Sequence, residues 1–496
     1  MRIFIFQQRE WYFRVGKFLA KRFLTEGYKL GSLTFKKSTH QDVIRNAKDY
    51  ELIINHDQIV ENPLKFVGDA SYSLEDICND LEIDSIWEIV QSARNHVKNY
   101  NLKTSYSFKQ NLTDKQIEDY FISLYCLAQK VKNEFNPDII LLPAFVSLPH
   151  IIFNIFFKKY KIPTLGVIDT KVDKIFVFIN DYLARDGKFF KLYNETDVSK
   201  ISFEGLDKIN EFKKNFYSNK NRKEIYSYAL DDNGFKKEVK LFLKTIIRSA
   251  KSIFQKDFNK IKLIGNTPDN NNIKIIIRDY FFYLKNKIQL NYFKYDKLED
   301  INNFIYFPLQ SQPEDSIDIM GVKYNNQIET IRQIAMKLPG NLTLLVKDHP
   351  AMSGIREKKY LNKIKHLPNV KLVSDEINVD KILDKTKFVI FIIGTIAFEC
   401  AMKKIKCIQL GEHGLTRLLP NVTYLEHLKD LPKEIKYISN KKLDEARYDD
   451  ELNKYIYCSQ SIGFDHNYLP IWEKNETGDL NKIFEKFNQE IKYYLK

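Results

Sequence analysis

The sequence predicts an α/β protein made of two doubly wound domains separated by a helical stretch. Three observations lead there. Strand-length apolar runs alternate with helical patterns from residue 2 to 168, this alternation stops between about 202 and 295, and it resumes from 304 to 410. At 496 residues the chain is also too long for one compact core, and ordinary domain sizes suggest about two or three units.

In the first half, Arg2 to Phe6 reads as a buried strand rather than a leader segment, Trp11 to Thr25 has helical periodicity, and Lys29 to Phe35 is strand-like again after Gly27. Tyr50 to Asn55 is a short strand, and Asp114 to Glu134 a helix capped by Thr113. Asn136-Pro137-Asp138 breaks the chain before a strand at Ile139 to Leu142, a helix at Pro149 to Tyr160 and a strand at Thr164 to Ile168. Repeated strand-helix-strand units require a parallel sheet covered on both faces.

Lys-rich, aromatic-rich helical patterns follow, notably Phe235 to Phe258 and Tyr280 to Tyr292, with an exposed loop expected at Asn266 to Asn272. Alternation then resumes with strands at Phe304 to Leu309, Leu342 to Lys347, Val370 to Ser374, Phe388 to Ile393 and Lys406 to Leu410. The helices between them are Asn326 to Lys337, Arg356 to Lys365, Val379 to Lys385 and Ile396 to Lys403, and Leu480 to Tyr494 is a last helix. The expected division is 1–200 for a first α/β domain, 201–298 for the helical insertion, 299–460 for the second α/β domain, and 461–496 for a helix returning to the first.

Composition excludes several classes. No window reaches the ~20 apolar residues of a membrane span. Five scattered cysteines without a CxxC pair suit a reducing cytoplasm, and no His or Asp-x-Asp cluster asks for a metal. The net charge of +14 favours an anionic ligand or the inner membrane surface, while the absence of nucleic-acid-binding motifs argues against a nucleic-acid partner.

The chemistry concentrates between 347 and 411. An apolar strand runs into Gly394-Thr395, which opens a helix, and such a strand-to-helix turn suits a phosphate. Glu399 lies one helical turn further on the same face, within reach of a nucleotide's sugar. Phe398 and Cys400 mark that helix as buried, where a lone carboxylate is costly. His349-Pro350 ends a neighbouring strand. Lys347 and Arg356 can offset phosphate charge, although in so Lys-rich a chain the ordinary expectation for either is a surface position. His413 is placed to close over a nucleotide. For a catalytic base, the first domain offers Glu10 after the first strand, Asp169 after the last, and His150; each also has an ordinary structural reading.

Taken in order, Tyr306-Phe307-Pro308-Leu309-Gln310-Ser311-Gln312-Pro313-Glu314, Val346-Lys347-Asp348-His349-Pro350, Gly354-Ile355-Arg356, Gly394-Thr395 to Glu399 and Gly411 resemble the capsule polysaccharide biosynthesis family. Its members include Kdo transferases, and its His-Pro motif is similar to that of bacterial GT-B sialyltransferases. The resemblance covers about 280–412 and implies a GT-B architecture of two Rossmann-type domains. It also implies donor contacts by His349, Pro350, Gly394, Thr395 and Glu399, with Gln312, Glu314 and Lys347 at the cleft. One position departs from the family, which often has His where this chain has Gln310.

The implied activity is transfer of a sugar, such as Kdo or another acidic sugar from a CMP donor, onto a surface polysaccharide or its lipid-linked acceptor, with no metal or other cofactor. Rival readings are a nucleotide-sugar 2-epimerase, a polyol phosphate transferase, or a non-catalytic glycan-binding or scaffold subunit on the same architecture.

Overall fold

The computed structural model describes residues 1–8, 11–67, 72–93, 113–218, 242–247, 250, 273–465 and 477–495. The strands are β1 (Arg2–Gln8), β2 (Lys29–Phe35), β3 (Tyr50–Asn55), β4 (Ile139–Leu141), β5 (Thr164–Asp169), β6 (Ile175–Ile179), β7 (Phe304–Pro308), β8 (Thr343–Lys347), β9 (Val370–Val373), β10 (Val389–Phe391), β11 (Cys407–Gln409), β12 (Val422–Tyr424) and β13 (Phe464–Asp465). They form two sheets, a seven-stranded one in the order β13-β6-β5-β4-β1-β2-β3 and a six-stranded one in the order β12-β11-β10-β7-β8-β9.

In the first sheet β1 to β5 are parallel, and near-continuous apolar runs such as Ile3-Phe4-Ile5-Phe6, all fully buried, are what two covered faces require. β6 and β13 depart from the purely parallel expectation. β6 follows β5 after only a tight turn, which is too short for a crossover, so the pair is antiparallel, and β13 adds antiparallel to β6. The helix Asp114–Glu134 begins as expected: Thr113 and Gln116 form a reciprocal capping box that satisfies two of its first amides.

The second sheet is parallel throughout. The chain builds outward from β7 through β8 to β9, then returns to the other side of β7 with β10. This reversal opens a crevice beyond the carboxyl ends of β7 and β10, where open α/β sheets receive ligands. The predicted strands and helices of this half are present, slightly shortened at their ends.

Two further helices, Leu431–Asn440 and Glu445–Ile462, complete the half. The second carries Tyr448, Leu452, Tyr455 and Ile456 at helical spacing into the core, and the Tyr455 hydroxyl donates to the Thr170 carbonyl of the first half at 2.9 Å. The helix Phe203–Tyr217 covers the second sheet, with the Phe212 ring 6.0 Å from Phe398. Most of the Phe235 to Phe258 pattern and the whole Asn266 to Asn272 loop lie outside the described residues. The helix Thr477–Tyr494 sets Phe484 against Phe23 and Phe487 against Phe178 in the core under β1 and β5.

The halves meet near the crevice. Gly414 N–H donates to the Leu183 carbonyl at 3.3 Å, and Ile319, from the turn after β7, enters the core of the first half.

Candidate donor site

The carboxyl ends of β7, β8 and β10 are joined by one buried polar network. The Arg356 guanidinium, 3% exposed, pairs with Asp348 after β8 and donates to the Gln310 carbonyl after β7 at 2.7 Å. The Gln310 side-chain amide donates to the Ile393 carbonyl, just before Gly394. Gln327 closes the other side: its carbonyl oxygen accepts from Gln310 N–H at 2.7 Å, and its amide donates to Gln312 at 3.2 Å. Gln312 in turn donates to Asp318, which also accepts from Glu314 N–H at 3.2 Å. The residue that departs from the family thus forms the link between two strand ends. Gln310 is buried, and its amide nitrogen would stand 3.2 Å from a Cβ on Gly394, whose φ of +155° suits glycine.

Around this frame sit the expected ligand groups. Gly394-Thr395 follows β10, and among the described residues nothing accepts from the amides of Gly394 and Thr395. Thr395 has helical φ and ψ, and its hydroxyl makes no capping bond. Glu399, 4% exposed, lies on the following helix, Ile396–Met402.

Lys347 and Arg356 are not surface residues, although so Lys-rich a chain predicts it; Lys347 is 5% exposed. The strand ladder from β7 to β9 passes directly over the position of Lys347, so sheet topology overrides composition. Among the described residues no carboxylate forms an ion pair with Lys347. Burial lowers its pKa, and the carboxylates of Asp375, Asp348 and Glu399 oppose that only in part.

The His349 Nδ1 accepts from Ala351 N–H at 3.1 Å, which leaves the ring proton on Nε2. Burial, with the Lys347 and Arg356 charges beside it, lowers the His349 pKa to about 4, so the ring is a neutral donor at pH 7. Pro350 opens the short 3₁₀ turn that follows.

Gly411 lies two residues past β11, and its N–H donates to the Ile392 carbonyl at 3.0 Å. A Cβ here would stand 2.4 Å from Ile393 Cγ1 and 2.9 Å from the Ile392 carbonyl oxygen, so the Gly394 turn would have to move. Gly411→Ala is expected to cost about 1–3 kcal/mol in a denaturant melt, the usual range for overpacking; an unchanged melt would show that the strand ends yield freely.

His413 lies beside Glu412 of its own half and Asp181 and Arg185 of the first, and burial lowers its pKa to about 4. A cavity of about 660 Å³ lies next to it, between the start of the helix Gln327–Ala335 and the loop after β12, lined by Tyr324, Glu329, Glu412, Tyr424 and His427 among others. It does not include His349, Thr395 or Glu399.

Of the three candidate bases, the two among the described residues differ in character. Glu10 lies outside the described residues. His150 is fully buried, with Ser147 Oγ 2.6 Å from one ring nitrogen and Gln8 Oε1 2.9 Å from the other, and it stacks on Phe35. Asp169 is partly exposed at the end of β5, paired with Lys171 at 2.9 Å. Burial works against the Lys171 ammonium, but Asp169, Asp315 and Glu314 together raise its pKa, so Glu314 and Asp315 lie within electrostatic reach of it. Lys171 carries no sequence signal of its own. Its position follows from a tight turn with φ of +69° at Lys171 and +51° at Asp173.

Among the described residues no group of His, Cys, Asp and Glu side chains has metal-site geometry. No helix there is long and apolar enough to cross a membrane.

Comparison with solved structures finds a UDP-GlcNAc 2-epimerase from Methanocaldococcus jannaschii at 12% identity and TM-score 0.23, over 89% of this chain and 94% of that one. A glycosyltransferase from Rickettsia africae ESF-5 matches at 10% identity and TM-score 0.27, over 100% of this chain and 98% of that one. CalG4, the calicheamicin glycosyltransferase, matches at 10% identity and TM-score 0.27 over the same shares. No curated protein matches the chain in sequence. Two Rossmann-type sheets, the second with a crevice at its strand-order reversal, form the doubly wound architecture that the sequence predicts, and residues 242–437, which hold every motif of the candidate site described above, match the family of capsule polysaccharide biosynthesis proteins.

Proposed function

We propose that the protein is a glycosyltransferase that moves a sugar from a nucleotide donor onto a surface or capsular polysaccharide or its lipid-linked acceptor. The observation that carries this reading is Lys347, a buried ammonium with no ion-pair partner among the described residues, next to a neutral His349, together with a Gly394-Thr395 turn whose amides have no acceptor among the described residues. A buried charge is costly unless something compensates it, and the phosphate of a bound nucleotide supplies that compensation.

As the sugar leaves, negative charge grows on the phosphate oxygens. The Lys347 ammonium, the His349 Nε2–H and the amides of Gly394 and Thr395 are donors suited to stabilise it, and they need no reorganisation to do so. Glu399 can accept from both ribose hydroxyls. Asp169, partly exposed and held by Lys171, is the favoured base for the acceptor hydroxyl. The family resemblance favours an acidic sugar such as Kdo on CMP as donor, and the reading requires no metal.

Thermal-shift measurement with CMP, UDP, GDP and CDP tests the reading, because a ligand that binds only the folded state raises its melting temperature. One of the four is expected to stabilise the wild type, with a smaller shift in Glu399→Ala. Silence toward all four would overturn the proposal. Release of free sugar without any acceptor would instead favour the 2-epimerase reading.

A further inference from the structure

The helix Ile273–Asn291 has two faces that the donor site does not explain together. One is docked. Asn286 donates to the Gly354 carbonyl at 3.3 Å, the Tyr283 ring fills the space that a Cβ on Gly354 would occupy, and Leu290 joins the core under β7 and β8. The opposite face is apolar and open. Ile277 is 41% exposed, Phe281 63%, Ile288 59% and, just past the helix end, Tyr292 80%. At 3.6 residues per turn these four fall within about 60° of one another, on the side away from Tyr283, Asn286 and Leu290.

A second apolar group stands beside this stripe. The short helical segment at 242–247 sets Phe242 5.8 Å from the Tyr280 ring and leaves Phe242, Leu243, Ile246 and Ile247 about half exposed. Contiguous exposed apolar surface of this kind marks an interaction site.

Charge says what covers it. Residues 236–297 hold fifteen Lys and Arg against five Asp and Glu, a surplus of ten in a chain whose net charge is +14. Lys244 and Lys285, in the same two segments, and Lys294, just past the helix end, are exposed. Apolar side chains flanked by lysines fit an anionic bilayer, where the rings and aliphatic chains enter the acyl boundary and the ammonium groups stay at the headgroups. A protein partner would need a complementary acidic apolar surface.

We infer that the helix Ile273–Asn291, with the segment at 242–247, docks the protein on an anionic phospholipid surface through Ile277, Phe281, Ile288 and Tyr292. Its buried face holds the Gly354 turn beside Arg356 and His349, so docking would set the donor crevice at a fixed height above the bilayer. The inference does not depend on which nucleotide the crevice takes.

Co-sedimentation of the full chain with vesicles of phosphatidylcholine alone, or of phosphatidylcholine with phosphatidylglycerol, tests it. Binding is expected to the anionic vesicles only and to weaken with salt. The triple variant Phe281→Ser, Ile288→Ser, Tyr292→Ser is expected to bind about tenfold less with an unchanged or higher melting temperature. Equal binding of the variant, or no binding of the wild type, overturns the inference. So does a wild type that is dimeric by light scattering while the variant is monomeric, because a second copy then covers the face. A variant that melts much lower also overturns it, since the stripe is then covered within the fold. The readout uses no nucleotide, so its failure is distinct from failure of the donor reading.

Discussion

Arg356→Ala is expected to lower the unfolding free energy by about 3–5 kcal/mol, the range found when one partner of a buried ion pair is removed. Arg356 is 3% exposed, pairs with Asp348, holds the Gln310 carbonyl at 2.7 Å and stacks 4.9 Å over the Tyr360 ring. Alanine would leave Asp348, itself 4% exposed, with the His349 amide at 2.7 Å and the nearby Lys347 charge to stabilise it.

The pH dependence identifies the cause. Burial already holds the Asp348 carboxyl above its ordinary pKa, against the opposing pull of Arg356. Between the ordinary and the raised value the folded state therefore binds more protons than the unfolded, so the cost of the buried charge is full above the raised pKa and is relieved as pH falls through it. Without Arg356 the pKa rises further. The loss in urea melts should thus be largest at neutral pH, shrink in acid, and be partly recovered by adding Asp348→Asn. A loss independent of pH and unaffected by Asp348→Asn would mean that the packing of Arg356, not its charge, holds these loops.

Lys347→Met should do the reverse: weaken nucleotide binding strongly while leaving the fold as stable or more so. Truncating one side of a buried charge pair costs about 2–5 kcal/mol of affinity, or roughly thirtyfold and upward in Kd. In the free protein Lys347 is a buried cation whose pKa burial depresses. Between that depressed value and the ordinary one the unfolded state holds more protons, so wild-type stability rises with pH through this window, and methionine removes both the cost and that pH dependence. Isothermal titration with whichever nucleotide stabilises the wild type, alongside thermal melts, reads both effects. Unchanged affinity would remove Lys347 from the site, and a marked fall in stability would show a structural role instead.

These two residues also show how far a linear reading reaches. Lys347 and Arg356 are both legible as cations near a motif, yet composition predicts a surface position for each. Their burial comes from β8 lying between β7 and β9 and from the fold of the 350–356 turn, neither of which is a local property. Gln310 reads as a departure from the family pattern. Its structural role, joining the end of β7 to Ile393, depends on β10 returning to the side of β7, more than eighty residues later in the chain. Lys171 carries no motif, and its pairing with Asp169 depends on a turn of positive φ just past the end of β5.

Ten of the thirteen strands among the described residues, the alternation of the two α/β halves and the position of Gly394-Thr395 with Glu399 were readable from the chain, because apolar periodicity and turn residues act over a few positions, whereas β12 and the helices Leu431–Asn440 and Glu445–Ile462 were not. The antiparallel β6 and β13, the polar network across three strand ends and the electrostatic reach between Glu314 and Lys171 were settled only by tertiary structure. Burial and charge pairing join residues that the chain keeps far apart, and the same side chain is a solvated cation or a buried one according to which strands close over it.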